Sequence, residues 1–125
     1  MDDANRHKKT FRDLIAWQKA IQLAKLIYQT TQQMPVAERF GLMVQMRRAA
    51  VSIPSNIAEG NARQSRADYL RFLTIARGSL AELETQMVIA TELQLIVASP
   101  ETSALLAETD RILQGLIRSL QMRAG

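Results

Sequence analysis

The sequence predicts an all-α fold, an antiparallel up-and-down four-helix bundle, on three observations. Apolar residues recur at helical spacing in four separate stretches. The breaks between them are short and carry Pro35, Gly60 and the pair Ser99-Pro100. Five glycines and three prolines in 125 residues leave little room for the turns of an all-β chain.

Residues 1–10 are polar and aperiodic and read as a frayed tail ahead of one domain over 11–125. Helix one is expected over about 12–33. At about 100° per residue, Leu14, Trp17, Ile21, Ala24 and Tyr28 share its first face. Ala16, Ala20, Leu23 and Ile27 form a second apolar strip beside it. Helix two is expected over about 36–59, after Pro35, with Leu42, Met46, Ala49, Ala50, Ile53 and Ile57 facing the core. Pro54 cannot donate to the Ala50 carbonyl, so a kink or a break is expected there, with Ser52 or Ser55 repairing part of the backbone. Gly60 stands where a helix often ends on a left-handed residue.

Helix three is expected over about 66–94, capped by Ser65 with Asp68 completing a variant capping box. Tyr69, Leu73, Ala76, Leu80, Leu83, Met87 and Ala90 alternate spacings of four and three without a fault, a coiled-coil-like seam. Ser99-Pro100-Glu101 reads as N-cap, first-turn proline and first-turn acid of helix four, about 100–122. Its core residues are Leu105, Ile112, Leu113, Leu116 and Leu120.

Apolar residues make up 47% of the chain and charged residues 22%, as in ordinary globular domains. No run approaches ~18 uninterrupted apolar residues, so no membrane span is expected. The first residues lack the apolar segment of a signal peptide. There is no cysteine, which fits a cytoplasmic location and excludes disulfides and thiolate metal sites. The net charge of +4 is unevenly spread: residues 44–78 hold six Lys/Arg against two acids, and residues 79–110 hold six acids and no base. A basic region attracts nucleic acid, although a mixed, solvated surface has the same composition.

Apolar residues remain after the core is built. Phe40, Val44, Val51 and Ala58 lie well away from the core face of helix two. Gly78 points away from the helix-three seam, near Thr74, Thr85 and Ile89. A mid-helix glycine costs about 1 kcal/mol relative to alanine, and close approach of another backbone would explain it. Phe40, Val44, Val51, Gly78 and Ile89 are therefore candidate oligomer contacts, against an irregular bundle that buries both faces within one chain. Helix two also carries a polar stripe of Arg48, Ser52, Ser55, Asn56 and Glu59. It reads either as a surface for RNA, DNA or protein, or as Arg48 and Glu59 pairing across subunits beside serines that repair the Pro54 site.

Catalytic constellations are missing. The one histidine, His7, lies in the tail, so nucleophile–His–acid catalysis has no core imidazole. No Glu-x-x-His pair exists for a bundle di-iron site, and Glu82 and Glu84 diverge by about 200° on a helix. The glycines are scattered and form no phosphate loop. The chain reads as a non-enzyme without cofactor or metal.

Several motifs resemble those of the bacterial 23S rRNA intervening-sequence protein family. They are Phe11-Arg12-Asp13-Leu14-Ile15-Ala16-Trp17-Gln18-Lys19-Ala20, then Gln45 and Arg47-Arg48-Ala49-Ala50, then Ser52 through Gly60. Arg63, Ala76-Arg77-Gly78-Ser79-Leu80 and Glu82-Leu83-Glu84-Thr85-Gln86 extend the likeness over about 11–95. Asn61 stands where the family pattern suggests a second glycine. The resemblance implies a four-helix bundle that assembles as a ring of five in relatives. It also implies similarity to the accessory proteins of diversity-generating retroelements, basic barrels that bind nucleic acid and a reverse transcriptase. Two functions follow as expectations. One is a homo-oligomer binding RNA or DNA backbone through Arg47, Arg63, Arg66, Arg71 and Arg77. The other is a protein-interaction scaffold presenting the acidic 79–110 segment or the helix-two stripe to a partner such as a reverse transcriptase.

Overall fold

The computed structural model describes residues 9–123; residues 1–8 of the expected tail, His7 included, lie outside the described residues. Four helices follow in order: α1 (Ile15–Thr31), α2 (Leu42–Asn61), α3 (Arg66–Glu92) and α4 (Pro100–Met122). Each packs on its neighbours in the chain, and α1 closes the square against α4. With connections this short, the bundle is antiparallel and up-and-down. One end therefore gathers the start of α1, the end of α2, the start of α3 and the end of α4.

The helix starts follow from their caps. Thr10 and Asp13 form a capping box on a short 3-10 turn, Phe11–Asp13, and Leu14 in extended backbone separates that turn from α1. The continuous helix expected from residue 12 thus begins three residues later. Ser65 Oγ accepts the Asp68 N–H at 3.1 Å, and Ser99 Oγ accepts the Thr102 N–H at 3.1 Å with Pro100 in the first turn. α3 ends on a Schellman motif in which Leu95 N donates to the Ala90 carbonyl (2.8 Å) and Gln94 N to that of Thr91 (3.0 Å). The left-handed position is filled by Gln94, at φ 60°, where glycine is usual.

Three expectations need correction. Helix two does not start at 36: Val36–Glu38 is a 3-10 turn, and Gly41, at φ −112° and ψ −113°, separates it from α2. Phe40 consequently sits in the connection and not on the helix. Pro54 does not break α2, which runs through it to Asn61. Around the proline, Ser55 Oγ donates to the Val51 carbonyl (2.8 Å) and Asn56 Nδ2 to that of Ser52 (2.8 Å). Gly60 is not a left-handed terminator either, since no described glycine has a positive φ. It is buried inside the last turn of α2, close against Tyr69 and Phe72 of α3.

On α1 the structure distinguishes the two apolar strips. Ala16, Ala20, Leu23 and Ile27 are buried, whereas Ile21 and Tyr28 are exposed. Small residues let α1 approach its neighbours, and the bulkier strip lies at the margin of the core. The α3 seam enters the core as spaced, with Leu73, Ala76, Leu80 and Leu83 fully buried and Tyr69 half-buried at its start. α4 contributes Leu106 and the threonines 102 and 109 in addition to Leu113 and Leu120. Thr109 Oγ1 satisfies itself on the Leu105 carbonyl at 2.7 Å, which makes its burial tolerable.

Candidate nucleic-acid interface

Of the five arginines singled out in the sequence, three meet at one end of the bundle. Arg63 follows α2, while Arg66 and Arg71 lie in the first two turns of α3. The guanidinium groups of Arg63 and Arg71 stand 4.8 and 4.5 Å from the centroid of the same ring, Phe72. That ring is only 8% exposed. It serves as a fixed seat for two cations and not as a platform for a stacked base. Arg66 Nη1 donates to the Arg123 carbonyl at 2.9 Å, which ties the start of α3 to the end of α4.

Among the described residues, the same end carries Lys9, Arg12, Arg118 and Arg123 against three carboxylates, Asp13, Glu59 and Asp68. Each acid has a local partner. Asp13 Oδ2 accepts the Thr10 N–H at 2.9 Å in the capping box. Glu59 Oε2 is 2.8 Å from Arg63 Nη2, and Asp68 Oδ1 is 3.7 Å from Arg71 Nε. These two ion pairs are solvent-exposed and lie within one helical turn, a class worth roughly 0–1 kcal/mol. A phosphate oxygen can compete for such arginines.

Arg47 and Arg77 are elsewhere. Arg47 closes the far end of α1: its Nε donates to Thr31 Oγ1 (2.8 Å) and its Nη2 to the Tyr28 carbonyl (3.1 Å). Its guanidinium also lies 4.4 Å from the Tyr28 ring centroid. A cation on the last carbonyls of a helix is favourable in its own right. Arg77, halfway along α3, is 3.5 Å from Asp110 of α4.

The helix-two stripe divides in the same way. Glu59 is taken by Arg63, so the Arg48–Glu59 pairing expected across subunits has a competitor inside the chain. Ser52 reaches across to α3, where its hydroxyl is 2.8 Å from that of Ser79, and Asn56 Nδ2 donates to Ser52 Oγ at 2.9 Å. Arg48 has no hydrogen bond or ion pair among the described residues. It borders a shallow polar groove with Gln45, Ser52, Ser79 and Glu82. The Ser52–Ser79 link and the Phe72 seat escaped sequence reading, because each joins residues on different helices. The Thr10–Asp13 capping box did carry a local signal, an acid three residues after a threonine.

The candidate oligomer contacts are accessible. Phe40 is 89% exposed; Val51, Gly78 and Ile89 are exposed and Val44 half-buried. A Cβ placed on Gly78 would meet nothing within 4 Å. Nothing among the described residues therefore accounts for that glycine. Among the described residues, no group of three His, Cys, Asp or Glu side chains is arranged to hold a metal ion, and no helix is long and apolar enough to cross a membrane.

No curated protein matches the chain. A family match does exist, and it spans all four helices: residues 12–118 fit the 23S rRNA-intervening sequence proteins. The match takes in the Pro54 region of α2, the arginine cluster at the α2–α3 turn and the Gly78 face of α3. With so much of its length matched, the chain belongs to the 23S rRNA-intervening sequence protein family.

Proposed function

We propose that this protein is a non-enzymatic, cytoplasmic homo-oligomer, a ring of five, that binds the backbone of RNA or DNA through the basic end of each bundle. The observation that carries the reading is the convergence of Arg63, Arg66 and Arg71 at that end, two of them held on Phe72. Guanidinium groups suit phosphate because their planar donors match its oxygens. One such end offers few contacts, and repetition around a ring multiplies them without any new chemistry. The unexplained Gly78 and the exposed Phe40, Val51 and Ile89 supply surface for the assembly.

The test is a gel-shift titration of a structured RNA at low and physiological salt. Wild-type affinity is expected to fall steeply with salt, since each neutralised phosphate releases counterions, and to vary little among sequences. Replacing Arg63, Arg66 and Arg71 with Glu is expected to abolish the shift. Because Arg63 and Arg71 rest on Phe72, the triple Gln variant is measured alongside, with circular dichroism confirming the fold of each. The Gln variant is expected to lower the log–log salt slope by roughly two to three, at about 0.7 to 0.9 for each phosphate no longer neutralised. A folded triple Gln variant with wild-type affinity and slope contradicts the proposal.

A further inference from the structure

At the opposite end of the bundle, the side built by α3 and α4 is acidic. There the last turns of α3 and the first turns of α4 border an open groove of about 380 Å³. Met87 and Leu106 form its floor, Val88 stands at its edge at 61% exposure, and Glu84 and Glu92 lie on its rim. In the connection beyond, Val97 is 78% exposed. An open apolar groove edged by charge can bury a partner's apolar side chains while its rim selects their flanking charge.

The charge around it is of one sign. Residues 79–110 contain six carboxylates and neither lysine nor arginine. Glu108 and Asp110 are matched by Lys19 and Arg77 from outside that segment. Glu84 and Glu92 have no cation partner among the described residues. Partial burial, and then the negative charge of Asp110, push the Glu84 carboxyl above its ordinary range, as befits an acid without a counter-ion.

The spacing defines the shape of the complement. Glu84, Val88 and Glu92 recur every fourth residue along α3, an acid–apolar–acid row about 12 Å long at ~1.5 Å per residue. A helix lying in the groove presents cations two turns apart around an apolar anchor over the same length. We infer that this groove binds an amphipathic helix of a partner protein, its apolar face on Met87, Val88 and Leu106 and its lysines or arginines on Glu84 and Glu92. Carboxylates without a counter-ion repel phosphate, so this groove suits a different class of partner from the basic end. The mode is that of a helix in a groove, where apolar anchors give affinity and flanking charge gives selectivity.

The test uses the full chain and a fluorescent synthetic helix of leucine at three- and four-residue spacing flanked by lysine. It is about 18 residues long, since shorter helices are marginal in water. A second helix carries glutamate in place of every lysine. Fluorescence anisotropy is expected to saturate at one lysine helix per chain, with the glutamate helix about ten-fold weaker. The double variant Glu84→Lys/Glu92→Lys is expected to reverse that preference. Glu59→Lys, at the other end, is expected to leave it within about two-fold, because separated surface charges are screened. Equal loss from Glu59→Lys reduces the effect to overall charge and overturns the assignment. So does an unchanged preference in the double variant. If the double variant instead lowers the protein's own mass by light scattering without peptide, a second copy occupies the groove, and the partner-helix inference fails.

Discussion

Gly60→Leu is expected to lower the melting temperature by about 10 °C or more, a loss of about 3 kcal/mol. A Cβ at residue 60 would lie 2.8 Å from Phe72 Cβ, 3.1 Å from Tyr69 Cδ1 and 3.2 Å from the Tyr69 carbonyl oxygen. The first and last of these atoms are backbone or next to it, so they cannot rotate away. α2 and α3 would have to separate at this point, and the Phe72 seat of Arg63 and Arg71 would move with them. The sign is diagnostic. At an open helical site, replacing glycine by a good helix former stabilises by up to ~1 kcal/mol. Thermal melting followed by circular dichroism, at fixed protein concentration, separates the two outcomes, and a melting point at or above that of wild type removes the close-approach explanation.

Gly78→Leu is expected to do the opposite: folding is retained and assembly fails. No described residue lies within 4 Å of a Cβ at this position, so leucine meets no obstacle among them and improves helix propensity. If another helix packs on this face, however, the added side chain holds the two backbones apart. An overpacking cost of about 1–3 kcal/mol weakens each subunit interface by roughly five- to 150-fold. The expected readout is undiminished helical circular dichroism together with a drop in mass on a sizing column. A fully assembled Gly78→Leu protein places residue 78 outside any interface.

These two glycines show where the sequence was legible. Gly78 stood out as a costly residue inside a helix and Gly60 as a helix end, but local pattern could not say what each is for. Gly60 looked like a terminator because its real constraint, Phe72 and Tyr69, lies on another helix. The α3 seam was legible from spacing alone, since seven apolar residues at four-three intervals admit one buried face. On α1 two adjacent apolar strips qualified, and only the approach of α2 and α4 selected the one with the smaller side chains. Gln94 gave no warning, because glycine or asparagine ordinarily marks a left-handed position. Arg47 was visible as a charge, but its partners Tyr28 and Thr31 belong to the preceding helix. The arginines at 63, 66 and 71 lie close enough in sequence for the α2–α3 turn to bring them together, so that cluster could be anticipated.

If this small bundle works as an assembly, with one basic end repeated around a ring, its mass in solution must be a multiple of the chain's. Light scattering behind a sizing column, at tens of micromolar wild-type protein, tests this most directly. A single species near five times the 14.0 kDa of the chain is expected. A clean 14.0 kDa species would contradict it.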